Sequence, residues 1–118
     1  MGNTELSGLL LIDKPADMTS HDVVARARRV LGQKSVGHTG TLDPIATGLM
    51  ILVLGEATKL SDYLITADKA YRITVRLGLT TDTLDRTGQV LSETPSNLAP
   101  AQVREAAEAM HGPFDWPI

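Results

Sequence analysis

The densest group of chemically capable side chains lies in Ser35-Val-Gly-His-Thr-Gly-Thr-Leu-Asp-Pro-Ile-Ala-Thr-Gly48. Asp43 is its one carboxylate and His38 its one imidazole, with threonine hydroxyls at Thr39, Thr41 and Thr47. A carboxylate is ionised at neutral pH and can serve as nucleophile or base without an activating partner. Pro44 biases Asp43 away from helical angles and holds it in a turn. Gly37, Gly40 and Gly48 let the backbone approach a ligand closely or adopt positive φ. These glycines do not form a phosphate cradle of the Gly-x-Gly-x-x-Gly or Gly-x-x-x-x-Gly-Lys-Ser/Thr kind. Taken singly, an Asp-Pro pair is ordinarily a turn or a cap. His38 by itself stands evenly between a carbonyl-bonded loop residue and a functional one.

Such a loop needs a rigid frame, and the flanking sequence offers one. Residues 8–12 read as a short buried strand ended by Asp13-Lys14-Pro15. Ser20 reads as a helix N-cap. Val23, Val24, Ala27, Val30 and Leu31 follow at helical spacing up to a Gly32 stop, with Arg26, Arg28 and Arg29 among them. Residues 35–48 lack a helical period and read as one ordered loop. The apolar run 49–54 predicts a strand buried on both faces. Residues 56–65 read as a helix with Ala57, Leu60 and Leu64 on one side. The clearest pattern is 71–79: Tyr71, Ile73, Val75, Leu77 and Leu79 alternate with Arg72, Thr74 and Arg76, which predicts a half-exposed strand with a basic outer face. A polar loop over 80–88, a returning strand over 89–92 and a helix over 100–110 complete the reading. That helix would turn Val103, Ala106, Ala107 and Met110 inward and stop at Gly112; the tail 113–118 shows no recognisable element. The expected class is α/β (α+β), with a mixed, largely antiparallel sheet flanked by helices.

Composition narrows the chemistry. At 118 residues, with 42% hydrophobic and 21% charged side chains, the chain is one domain or a piece of one, able to fold without staples. The absence of cysteine excludes disulfides, cysteine-held zinc, thiol nucleophiles and iron–sulfur clusters. Four aromatic residues, Tyr63, Tyr71, Phe114 and Trp116, are too few for a surface that reads nucleic acid through many stacked rings. The net charge of −3 is uneven. Across 14–38, five basic residues face two acidic ones; across 82–118, six acidic residues face two basic ones. The basic part suits a polyanion, although ordinary surface variation produces similar blocks. The apolar run 49–54 is too short to span a bilayer, and no secretory signal is visible, so the cytoplasm is the expected compartment.

Gly37-His-Thr-Gly-Thr-Leu-Asp-Pro-Ile-Ala-Thr-Gly-Leu49 resembles the catalytic motif of the TruB-type tRNA pseudouridine synthases. Asp13-Lys-Pro-Ala-Asp-Met-Thr-Ser-His21 resembles the family's lysine–proline motif, and Lys69-Ala-Tyr71 its tyrosine motif. Leu77-Gly-Leu-Thr-Thr-Asp-Thr-Leu-Asp-Arg-Thr-Gly88 resembles the loop that comes next. The resemblance runs from about Gly8 to Gly112 in matching order.

It implies part of a pseudouridine synthase catalytic domain that isomerises a T-loop uridine in tRNA, with Asp43 as the essential aspartate and no cofactor or metal. Asp43 would attack the ribose C1′ or the uracil C6, or first remove a ribose proton. Tyr71 would pack on the extruded base, and His38, Thr39 and Gly40 would contact RNA or shape the loop around it. Lys14 would touch RNA or buttress the catalytic loop, the buttress being the favoured role. Asp82 and Asp85 are explained equally by turn capping, and Arg26, Arg29, Arg72 and Arg76 are candidate phosphate contacts.

Family members usually run on from a stretch like Met110-His-Gly-Pro-Phe-Asp115 into Gln-x-Pro-Pro and Tyr-Ser-Ala-x-Lys segments. An arginine partner for the aspartate, a leucine-bearing strand and an RNA-binding domain then follow. Here Trp116-Pro-Ile118 follows instead. Residues 1–118 are therefore expected to be the N-terminal portion of a catalytic domain, with the C-terminal part and RNA-binding domain absent and turnover impaired. A separate C-terminal fragment is a candidate partner, and oligomeric state is not legible. The alternative is a non-catalytic RNA-binding or RNA-folding remnant of such an enzyme.

Overall fold

A computed structural model describes residues 5–113. It divides after Tyr71 into two compact units, each considered by itself. The expectations for Phe114, Trp116 and the rest of the tail beyond Pro113 lie outside the described residues.

The first unit is built around strand β3 (Gly48–Leu54), whose side chains at Met50, Leu52, Val53 and Leu54 are all buried. It is the middle strand of an antiparallel sheet, with β1 (Gly8–Lys14) on one side and β2 (Val36–His38) on the other. β1 pairs along its whole length, from Gly8 opposite Leu54 to Lys14 opposite Gly48. β2 places Val36 opposite Leu54 and His38 opposite Leu52. Helix α1 (Ser20–Leu31) adds Val23 and Val24 to a core completed by Val36, Met50, Leu52 and Leu54. Leu10, Ile12, Met18, Ala27, Leu31 and Leu42 pack around that core. The chain leaves β3 through a 3₁₀ turn (Gly55–Leu60) into the short helix α2 (Ser61–Ile65). In the second unit β4 (Leu79–Thr81) and β5 (Val90–Glu93) form an antiparallel pair with an irregularity at Thr80/Thr81, followed by helix α3 (Pro100–Ala109).

The α/β class with antiparallel pairing is as expected, although the strands form two small sheets rather than one. Several boundaries differ. The N-cap of α1 is Thr19, not Ser20: the Thr19 hydroxyl accepts from the Asp22 amide at 2.9 Å, and the Asp22 carboxylate accepts from the Thr19 amide at 3.0 Å. This reciprocal box satisfies two otherwise orphaned donors, which no bond from Ser20 would do. Gly32, at φ 65°, closes the helix as expected. Within 35–48 the first residues join the sheet as β2. Residues 56–65 start as 3₁₀ rather than α.

The largest difference is at 71–79, where only Leu79 enters a strand. Tyr71, Ile73 and Val75 are exposed. A strand is stable only when its amides and carbonyls meet a neighbour, and no described segment pairs with 71–76. In α3, Val103 is half-buried while Ala106, Ala107 and Met110 are exposed, so that face is not turned into a core. The helix forms on local grounds: an alanine-rich run, Pro100 at its start, and the Gln102 side chain accepting from the Ala99 amide at 2.8 Å. Among the described residues no helix is long and apolar enough to cross a membrane.

Candidate active-site loop

Between β2 and β3 the chain makes an irregular excursion, and Asp43 stands on it. The Asp43 carbonyl accepts from the Ala46 amide at 2.9 Å, closing a turn over Pro44 and Ile45. The Asp43 side chain is exposed, and among the described residues its carboxylate takes no hydrogen bond. Its two neighbours are held firmly. The Pro44 carbonyl accepts from the Asp17 amide at 2.7 Å and from Lys14 Nζ at 3.3 Å. Leu42 exchanges two hydrogen bonds with Ser20: its amide donates to Ser20 Oγ at 2.9 Å, and Ser20 Oγ donates to its carbonyl at 3.2 Å.

Lys14 ends β1 and is fully buried, at 0% exposure. Its ammonium also donates to the carbonyls of Pro15 and Met18, both at 2.8 Å, so its three donors meet three backbone oxygens. It lies beneath the loop, in the place of a buttress. Asp17 reaches Pro44 from the left-handed region, at φ 70°, which an aspartate tolerates better than most residues. The segment between β1 and α1 thus folds back under Pro44 through one side chain and one strained backbone amide.

Thr39 is buried and fastened to β3, its amide and hydroxyl both donating to the Ile51 carbonyl, at 3.2 and 3.1 Å. His38 Nδ1 accepts from the Gly40 amide at 3.4 Å, which leaves Nε2 to carry the proton of a neutral ring. A Cβ on Gly40 would stand 3.0 Å from Lys69 Nζ, so this exposed cation lies against the loop. Tyr71 is exposed and outside any regular element. Lys14 is thus bonded to the loop beside Asp43, at Pro44, while His38, Thr39 and Gly40 are fastened to one another and to β3 at the loop's start. Among the described residues Tyr71 has no hydrogen bond to any of them. Among the described residues no group of three or more His, Asp or Glu side chains gathers where a metal could sit.

Two of the four candidate phosphate contacts, Arg26 and Arg29, are exposed on α1, while Arg28 turns back to donate to the Val36 carbonyl at 3.0 Å. In the second unit Arg76 pairs with Glu93 at 3.3 Å. Asp85 there is a hub: its carboxylate accepts from the Thr83 hydroxyl at 2.7 Å and from the Thr87 amide and hydroxyl at 2.8 and 2.5 Å. The Thr87 hydroxyl foremost, then Thr83 and the Thr87 amide, hold the Asp85 carboxyl below the usual carboxylate range. Asp82 accepts from the Gln89 amide at 2.8 Å.

The sequence profile of the TruB family pseudouridylate synthases (N terminal domain) matches residues 28–116. The chain belongs to that family. Proteins named tRNA pseudouridine synthase B are similar over most of its length. The one from Opitutus terrae is 55% identical over 108 residues, 92% of this chain and 44% of its own. That from Bdellovibrio bacteriovorus is 53% identical over 93 residues, 79% of this chain and 30% of its own. That from Salmonella arizonae is 44% identical over 111 residues, 94% of this chain and 35% of its own. The chain therefore spans less than half the length of these relatives.

For this TruB-family chain, sequence reasoning singled out the loop and missed two of its supports, Ser20 and Asp17, and one neighbour, Lys69. Ser20 reads as a cap, yet its hydroxyl belongs to Leu42. The signal was available, since Asp22 three residues after Thr19 marks Thr19 as the cap and leaves Ser20 free. Asp17 acts through its backbone and gives no side-chain signal. Lys69 is set against Gly40 by the path of the chain after α2, which no local pattern encodes.

Proposed function

We propose that the chain carries the aspartate-bearing part of a tRNA pseudouridine synthase and that Asp43 acts on a uridine of the T loop. One observation carries the reading. In a chain about half identical to proteins named tRNA pseudouridine synthase B, the backbone on both sides of Asp43 is tied down while its carboxylate faces solvent. That is the arrangement a reactive carboxylate needs, because positioning alone supplies several kcal/mol of a barrier, roughly 7–11 in the best cases. The uridine leaves its stack, at a cost of a few kcal/mol, and presents its glycosidic bond to Asp43. The N1–C1′ bond breaks, the uracil turns, C5 bonds to C1′, C5 loses its proton and N1 gains one. No atom is added or removed overall. The exposed Tyr71 ring suits packing on the extruded base, and His38 Nε2–H suits a donor to the RNA near it. Lys69, Arg26, Arg29 and Arg72 suit phosphate oxygens, so tRNA affinity should fall steeply with salt.

The test is nucleoside analysis of an unmodified tRNA transcript. It is incubated with the chain alone, and with the chain plus the C-terminal segment of the Opitutus terrae relative. Pseudouridine should be scarce with the chain alone and appear when the segment is supplied. Asp43→Ala should then abolish product while tRNA binding is kept. Undiminished product from Asp43→Ala would remove Asp43 from the chemistry. Binding without product under every condition would favour the RNA-binding remnant.

A further inference from the structure

We propose that Ser20 is a positioning residue for Asp43. Its hydroxyl fixes the backbone on the N-terminal side of the aspartate, as Lys14 and Asp17 fix it on the C-terminal side. The inference rests on the Asp43 reading above and adds a residue and a device to it.

Ser20 is the first residue of α1, where serine ordinarily earns its place by capping. Here Thr19 does the capping, so the Ser20 hydroxyl is free for another task. It is nearly inaccessible, at 3% exposure, and a hydroxyl so placed must find both a donor and an acceptor partner. Both come from one residue 22 positions away, the amide and the carbonyl of Leu42. Two bonds to one peptide unit on each side restrain rotation as well as position, which a single bond would not. The Leu42 side chain packs against the Val23–Leu52 core cluster and gives the same residue a third anchor.

The other flank is held in a similar way. The Pro44 carbonyl takes two donors, Lys14 Nζ and the Asp17 amide. Leu42 and Pro44 are thus each doubly bonded to the segment 14–20, and Asp43 is the one residue between them. A carboxylate mounted on this backbone has its Cα fixed and only its own side-chain torsions free. Thr19 and Ser20, adjacent and chemically alike, divide the work: one builds the helix end and the other holds the loop. Alanine at position 20 would leave the Leu42 amide and carbonyl without partners while leaving the cap intact.

Amide hydrogen exchange on the 118-residue chain, together with the ¹³C signal of the Asp43 carboxyl, distinguishes this role from general support. Ser20→Ala should speed exchange at Leu42 by about tenfold or more, as expected for a lost hydrogen bond. It should also shift or broaden the Asp43 carboxyl signal, with the Val24 and Leu52 amides unchanged. Thr19→Ala should free the start of α1 and leave Leu42 and the Asp43 signal as they were. Ser20→Thr, which keeps a hydroxyl, should restore protection at Leu42. Unchanged Leu42 exchange in Ser20→Ala would overturn the proposal, as would an equal acceleration of the Leu42, Val24 and Leu52 amides. Failure of the Asp43 reading is seen separately, as pseudouridine formation that survives Asp43→Ala.

Discussion

Lys14 is the residue where a charge is used as a structural part. Its ammonium is sealed beneath the loop, and the groups facing it are the carbonyls of Pro15, Met18 and Pro44. Burying an ammonium costs several kcal/mol, so the arrangement holds only because every donor finds an oxygen. Replacing it with a residue of similar shape decides which effect dominates. Lys14→Met removes the desolvation cost of the charge, but it leaves the Pro15 and Met18 carbonyls facing a thioether and the Pro44 carbonyl with the Asp17 amide alone. An unsatisfied buried acceptor costs about 1–3 kcal/mol, and a hydrogen bond to a charged group contributes about as much. Loss should dominate, and we expect Lys14→Met to destabilise the first unit by about 2–4 kcal/mol. Urea denaturation followed by far-ultraviolet circular dichroism measures this as a lower midpoint at unchanged slope.

At the scale of elements, the loop after β4 is held by side chains rather than by a ladder. Three threonine-derived donors meet the Asp85 carboxylate, and the Thr81 hydroxyl donates to the Asp85 carbonyl at 2.6 Å. Those bonds favour the ionised carboxylate, so its pKa lies lower in the folded chain than in the unfolded one. Their stabilisation is therefore present above the ordinary carboxylate range and is lost as pH falls through the lowered folded value. The Asp85 carboxyl signal should titrate below the ordinary aspartate range, with the Thr87 amide shift following the same midpoint. A Thr87 amide shift that titrates apart from Asp85 would contradict the hub.

Elements also show what a sequence reveals. β1, α1 and β3 were legible as elements because each buries a stripe on the core side. The burial expected on both faces of 49–54 fails at Leu49, and that expected along 8–12 fails at Leu9 and Leu11. The Asp43 loop was legible because its residue types are unusual for a connection. β2 was not: three residues, one of them glycine, are too few for a period, and only the neighbouring β3 makes them a strand. Alternation at 71–79 reports which side chains share a face, and says nothing of whether a partner strand is there to pair.

At the scale of the whole chain, the sheet of the first unit has two apolar faces, one covered by α1 and the other buried at Val53 but open at Leu9, Leu11 and Leu49. Residues opposite each other in an antiparallel pair share a face. Leu10 opposite Leu52 and Ile12 opposite Met50 lie on the face that α1 covers. Leu9 opposite Val53, Leu11 opposite Ile51 and Asp13 opposite Leu49 lie on the other. On that second face Leu9 is 50% exposed, and Leu11 and Leu49 are each 64% exposed. Among the described residues β1 is moreover an edge strand, paired with β3 on one side. An apolar face continuous with an unpaired edge is a surface that proteins ordinarily cover or break with charge. The isolated chain should therefore self-associate at tens of micromolar, seen in sedimentation velocity as species heavier than 12.6 kDa. Leu11→Lys puts a strongly hydrated charge in the middle of that face without touching the α1 side. It should weaken association by about tenfold or more and leave the circular dichroism spectrum unchanged. Association that persists in Leu11→Lys would move the sticky surface elsewhere, with the exposed Ile73 and Val75 next to be tested.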